Sequence, residues 1–262
     1  MSEPTGRSEA AVPTGIPSAH APSHVRRDRI WEVDFLRGVS IILMVGYHLL
    51  YDLGTMVGLR SFLGFSTDLS TRAWTIAQLF FAGLFVVLSG VSSTLSRGNV
   101  RRALKLMAVA LLVTAATFVF DRSSAIVFGI LHCLAVSILL YGLLLEKAGA
   151  AACAGAGAFV IGLGVVLDRL LRGVPIGTDW LLPFGIHRPA LGAFDYFPLF
   201  PWFGIFLVGA ALGKSLYAER RSLIPGRLPA TFVNLAGRHS LLIYIVHQPV
   251  ILACLYVLGL IR

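Results

Sequence analysis

Seven apolar stretches of about 20 residues follow one another between Phe35 and Ile261, and a segment of that length wound as an α-helix spans the ~30 Å hydrocarbon layer of a bilayer. In lipid no water satisfies a peptide group, so each stretch must close its own N–H and C=O hydrogen bonds, as a helix does. The expected fold is therefore all-α: a polytopic membrane helix bundle of about seven transmembrane helices, at residues 35–53, 73–95, 103–120, 125–145, 148–171, 197–216 and 240–261. Composition agrees. Hydrophobic residues make up 56% of the chain and charged residues 13%, whereas a soluble domain carries about a quarter charged.

The net charge of +9 would suit nucleic acid if it were gathered on a soluble face. Here the cations sit at the ends of the apolar stretches, where they set orientation, and a nucleic-acid partner is discounted. Fourteen of them (Arg7, Arg26, Arg27, Arg29, Arg97, Arg101, Arg102, Lys105, Lys147, Lys214, Arg220, Arg221, Arg227 and Arg238) fall on one side, against seven (Arg60, Arg72, Arg122, Arg169, Arg172, Arg188 and Arg262) on the other. The expectation is a cytoplasmic N-terminus and a C-terminus on the opposite side. Residues 1–28, rich in Pro, Ser, Gly and Ala without apolar periodicity, read as a disordered cytoplasmic tail, leaving 29–262 as the membrane domain. No cleavable signal is expected, because the first apolar stretch comes late and ends without a small-residue cleavage site. Cys133, Cys153 and Cys254 lie inside spans with no metal-ligand spacing, so neither a disulfide framework nor a metal is expected.

Asp34, Arg37, Gly38, His48 and Asp52 lie on or beside the first span. Ionisable groups are expensive in lipid, which makes each a candidate for function. Eleven residues of helix make roughly three turns, so His48 sits about 16 Å along the axis from Arg37 on nearly the same face. Asp52 follows His48 by four residues, within side-chain reach.

The stretch RIWEVDFLRGVSIILMVGYHLLYDL (29–53), with FGILH (128–132), DYFPLFPW (195–202) and GRHSLLIYIVHQP (237–249), resembles the heparan-α-glucosaminide N-acetyltransferase-like bacterial membrane proteins over nearly all the chain after Asp28. The opening motif, and the LSG (88–90) that ends the second span, are also similar to the membrane O-acyltransferases that decorate bacterial surface glycans. The resemblance implies a multi-pass protein of the bacterial cytoplasmic (inner) membrane. Its implied activity is O- or N-acyl transfer, of an acetyl group above all, from cytoplasmic acetyl-CoA or another acyl-CoA to a sugar or glycan acceptor on the outer side. One departure matters. In the lysosomal enzyme that gives the family its name, the histidine linked to acetyl transfer lies in the loop after the first span, and an Asn stands where His48 is here. The loop 54–72 of this chain holds no His, so heparan or glucosamine specificity and an acetyl-histidine intermediate do not follow.

Acyl transfer from a thioester needs a base for the acceptor proton, and a neutral imidazole suits that task. His48 is the candidate, with Asp52 placed to fix its tautomer and stabilise the imidazolium; the competing reading is a packing histidine bonded between helices. Arg37, at the cytoplasmic end, can grip phosphate through its planar fork or can act as a structural ion pair with Asp34. His132 lies at a depth close to that of His48, either in the same cavity or hydrogen-bonded between helices. His247 precedes Pro249 by two residues, and that proline removes a backbone donor and tends to kink the helix; a structural role for His247 stands beside a cavity role, and Gln248 shares the ambiguity. The long outer loop 172–196 offers Trp180, Asp195 and Tyr196 as acceptor-side candidates, against an interfacial aromatic belt. Gly38 permits close approach of a ligand or of another helix, and Ser89 with Gly90 can donate to the acyl carbonyl or permit tight packing, with packing favoured for both; the Gly/Ala-rich fifth span reads as a packing surface. A transporter or flippase would also place charges in a bundle, but no inverted repeat is visible; a non-catalytic scaffold leaves the aligned Arg, His and Asp unexplained. An oligomer is compatible with the sequence.

Overall fold

The computed structural model describes residues 30–174, 176–188, 192–225 and 231–261; the tail expected over 1–28 lies outside the described residues. The chain forms helices α1 (Trp31–Thr55), α2 (Arg72–Leu95), α3 (Asn99–Phe120), α4 (Ile130–Leu140, continued by a π turn, Tyr141–Leu145), α5 (Ala150–Leu171), α6 (Leu199–Leu216), α7 (Phe232–Arg238) and α8 (Ser240–Val257). A small antiparallel hairpin of β1 (Ser61–Phe62) and β2 (Phe65–Ser66) holds the only strands among the described residues. Six helices are long and apolar enough to cross a membrane, and Ile130–Leu145 is a shorter apolar one. The molecule is an all-α polytopic membrane bundle.

The fourth segment differs from the expected 125–145. Residues 125–129 stay outside the helix because their peptide groups are bonded elsewhere: Ile126 N–H donates to Thr117 Oγ1 at 3.1 Å, Ile126 C=O accepts from Thr114 Oγ1 at 2.6 Å, and Phe128 C=O accepts from Phe197 N–H at 3.1 Å. Non-helical backbone at membrane depth is tolerated where protein supplies the hydrogen bonds that water cannot. The helix that remains is about 24 Å long and starts inside the bundle rather than at its rim. The short α7 was not foreseen; it lies within the cationic stretch between the last two spans and packs on α1.

Glycines bring the backbones together. A Cβ on Gly90 would collide with the Phe206 carbonyl, one on Gly209 with the Val87 carbonyl, and one on Gly204 with the backbone of Gly157 and Ile161, so α2, α5 and α6 pack at the separation that small residues permit. The fifth-span surface is thus used through Gly157 and Gly164, which meet Gly204 and Pro201. Around these contacts Val86, Ile138, Tyr141, Phe206 and Leu207 form the centre of the core. Outward-facing Leu112, Val119, Phe159 and Val257 are exposed, as a lipid-bathed surface requires.

At the N-terminal end of α1, two buried carboxylates tie down neighbouring segments. Glu32 accepts from Leu223 N–H at 2.6 Å and from the Ser222 hydroxyl, and Asp34 lies 3.6 Å from Arg37 and 3.5 Å from Arg238. Between them α7 presses on α1 so closely that Cβ atoms on Gly38 and Gly237 would strike the carbonyls of Val233 and Asp34. Neither obstacle is a flexible side chain. Gly237→Ala should therefore lower the detergent-solubilised unfolding midpoint by an amount corresponding to about 1–3 kcal/mol, the usual cost of overpacking. Gly46→Ala on the same α1, where a Cβ meets nothing within 4 Å, should leave it unchanged or raise it. Thermal unfolding of both variants checks the close approach, and equal midpoints would disprove it.

Candidate active site

Two cavities lie along the axis of the bundle. The larger, about 560 Å³, opens at the end where α1, α3 and α8 begin, and Arg37, Arg101, Arg102 and Lys105 line it together with Ser89. The smaller, about 90 Å³, lies deeper and is lined by His48, Tyr47, Gln78, Asp195 and Tyr244 among apolar side chains such as Phe81 and Phe197. Each of four helices passes from one lining to the other within a turn: α1 between Arg37 and Ser40, α4 between Ile130 and Leu131, α8 between Leu241 and Tyr244, and α2 at Phe85, which lines both. The two linings adjoin at Phe85.

In the inner chamber His48 stands between two rings, Tyr47 edge-on at 5.9 Å and His247 at 4.9 Å between centroids. His247 Nδ1 lies 2.6 Å from the Tyr244 carbonyl, which only accepts, so that nitrogen carries the proton. Its Nε2 is then a bare lone pair, buried and without a hydrogen-bond partner among the described residues. Asp52 does not take the place expected for it beside His48. Its Oδ2 accepts from Gln248 Nε2 at 2.8 Å, and no hydrogen bond joins it to His48 among the described residues. The ring packed against His48 comes instead from α8, which runs on through Pro249 without a break. Tyr47, whose hydroxyl donates to Gln78 Oε1 at 3.2 Å, closes the opposite wall.

Asp195 joins three separate stretches of the chain. Its Oδ2 accepts from Ile130 N–H at 2.9 Å, at the start of α4, and from the Tyr244 hydroxyl at 3.0 Å. A Cβ on Gly129 would strike the same oxygen. The glycine of FGILH is therefore needed so that the aspartate of DYFPLFPW can reach the helix N-terminus, where the free N–H groups and the helix dipole favour negative charge. The tyrosine of the last motif completes the set. Tyr196, the neighbour of Asp195, turns the other way: its hydroxyl donates to Leu182 C=O at 2.7 Å and its ring meets His187 at 5.0 Å, so it organises the outer loop instead of lining the chamber. In that loop Arg188 forks onto Asp179, holding this carboxyl below the usual carboxylate range, and Trp180 is 91% exposed.

His132 lines neither cavity. Gly129 N–H donates to its Nδ1 at 3.3 Å, which leaves the proton on Nε2, 3.2 Å from Thr114 Oγ1. The Thr114 hydroxyl itself donates to Ile126 C=O. With Phe128 stacked on the ring, both nitrogens are engaged in holding the irregular entry to α4, and no lone pair is free to take a proton.

Arg37 bonds the Ser92 hydroxyl and pairs with Asp34 while lining the outer chamber. Asp34 and Ser92 hold the guanidinium against the cavity wall. The sequence placed Arg101, Arg102 and Lys105 only as orientation signals; their convergence with Arg37 needs the packing of α3 on α4 and α1 on α2. Four cations around one cavity form a site for a polyanion, phosphate above all. Among the described residues no cluster of His, Cys, Asp and Glu suits a metal ion, and Cys133, Cys153 and Cys254 are free thiols.

A family model described as heparan-alpha-glucosaminide N-acetyltransferase, catalytic, matches residues 29–249, a span that contains both chambers and all four motifs. No curated protein and no solved structure matches the chain.

Proposed function

The chain belongs to the family of heparan-α-glucosaminide N-acetyltransferase catalytic domains and is a membrane enzyme of the acetyltransferase type; on that premise we propose that it moves an acyl group from acyl-CoA, entering at the outer, cationic chamber, to a hydroxyl or amine of a sugar or glycan presented to the inner one. One observation carries this reading: a four-cation cavity adjoins, at Phe85, the chamber that holds His48. The phosphates of CoA carry the charge such a cavity collects, and the pantetheine arm is long enough to carry the thioester deeper while the phosphates stay behind. Arg37, held by Asp34 and Ser92, contributes its charge to the phosphate site; Arg101, Arg102 and Lys105 complete the cradle.

At the inner end His48 takes the proton of the acceptor as its oxygen or nitrogen attacks the thioester carbonyl. The His247 ring lies 4.9 Å from that of His48, and its Nε2 is without a partner among the described residues; on this reading it accepts a hydrogen bond from the imidazolium that forms, the role expected of Asp52 from its spacing. Asp195, with one oxygen held by Ile130 and Tyr244, presents the chamber with a fixed carboxylate able to bind an acceptor hydroxyl. The cationic chamber corresponds to the cytoplasmic end, where the excess of Lys and Arg belongs and where CoA is made.

Proteoliposomes with the protein in one orientation test the assignment: acyl-CoA supplied on the face that carries the N-terminus should support transfer, and acyl-CoA on the opposite face should not. In the same assay Arg102→Gln should raise KM for acyl-CoA about tenfold with kcat little changed, the signature of a lost charge-assisted contact made equally in ground and transition states. Calorimetry with CoA alone should show the same weakening. Unchanged affinity would remove the cationic chamber from the donor site. Accumulation of solute inside vesicles without CoA would favour transport over transfer.

A further inference from the structure

Phe85 is the one side chain shared by the two cavities. On α2 the stripe at four-residue spacing reads Phe81, Phe85, Ser89, with Phe81 in the inner chamber and Ser89 in the outer. Its ring is partly buried and packs on the core, at the level where α1, α4 and α8 also change from one lining to the other. The outer chamber is large, open and cationic, so bulk water has access to it. The inner one is small and mostly apolar, and it holds the groups that would activate any nucleophile. A base that removes a proton from a sugar hydroxyl will remove one from water equally well, and expulsion of water is what prevents hydrolysis of a reactive acyl group.

We propose that Phe85 is a hydrophobic partition that keeps bulk water of the donor chamber away from the thioester, and that it thereby makes the protein a transferase instead of an acyl-CoA hydrolase. The inference rests on the donor reading above. The ring fills the boundary between the cavities when no donor is bound; with the donor in place it swings aside and packs against the pantetheine arm, so that the boundary stays closed in both states. Without the ring, water follows the arm inward. The competing reaction is then simple: water attacks the thioester carbonyl, the C–O bond forms, the C–S bond breaks, the thiol leaves as CoA-SH with one proton, and the acyl group leaves as a carboxylate with release of a second.

The experiment compares acceptor-independent hydrolysis with acceptor-dependent transfer, using acetyl-CoA, in the full-length purified protein and its variants. Phe85→Ala should raise the ratio of hydrolysis to transfer severalfold while CoA binding, read separately by calorimetry, is retained. Phe85→Leu, which keeps most of the volume and guards against a folding defect, should raise it less and in the same direction. A ratio unchanged in both variants, with CoA still bound, overturns the partition. Failure of the donor reading would look different, because the wild-type protein itself would then neither bind CoA nor turn over acetyl-CoA, and the partition would fall with it.

Discussion

His48→Ala should abolish acceptor-dependent acyl transfer while leaving folding and CoA binding intact. A positioned general base contributes about 10²–10⁴ in rate, and among the described residues His48 is the histidine that lines the inner chamber, next to the cationic cavity. Among the described residues no hydrogen bond holds its side chain to another element, and its ring neighbours are Tyr47 and His247. Truncation therefore removes chemistry without leaving a buried donor or acceptor unpaired in a neighbouring helix. The contrast is His132, with both nitrogens bonded to the entry of α4; His132→Ala should lower thermal stability and, where folded, retain turnover. Single-turnover rates with acyl-CoA and an acceptor, set beside CoA affinity for each variant, separate the two. Near wild-type turnover in His48→Ala, with loss in a folded His132→Ala, would move the base to His132.

Helix positions were legible in the sequence wherever the apolar run and its hydrogen bonds end together, as at α2, expected over 73–95 and found at Arg72–Leu95. They were not legible at α4. There the apolar run continues upstream through Ala125–Phe128, but the peptide groups are claimed by Thr114, Thr117 and Phe197, partners that hydropathy does not register. The site shows the same division. Spacing on one helix put His48 and Asp52 within reach of each other, yet the contact that forms is set by Gln248, far along the chain on α8. Tyr244 passed unnoticed because a tyrosine in an apolar run is ordinary; its meaning comes from Asp195 reaching across the bundle to it. Arg101, Arg102 and Lys105 were seen as charge, which is additive along a sequence, but not as a cavity, which depends on how the bundle packs. The motif glycines follow the same rule. Gly129 is required by an aspartate 66 residues later.

That aspartate gives the second large effect. Asp195→Ala removes an acceptor from two donors in the interior, the Ile130 N–H and the Tyr244 hydroxyl, and each buried donor left unpaired costs about 1–3 kcal/mol, more when the lost partner was charged. Because this carboxylate helps tie the segment before α6 to the start of α4, its loss leaves that junction to backbone bonds such as Phe197 N–H to Phe128 C=O and loosens the irregular stretch beside the inner chamber. Asp195→Ala should thus lower the unfolding midpoint in detergent markedly and abolish transfer. Asp195→Asn keeps the shape and one acceptor oxygen but not the charge, so its midpoint should fall less, while KM for the acceptor rises because the second oxygen no longer offers a charged partner to a hydroxyl. Tyr244→Phe isolates the pin from the binding role: it takes away one donor, leaves the carboxylate charged, and should leave the KM for the acceptor closer to wild type than Asp195→Asn does. A midpoint for Asp195→Ala equal to that of the wild type would show that the three stretches are held together by something other than this carboxylate, and an unchanged acceptor KM in Asp195→Asn would remove Asp195 from the acceptor site.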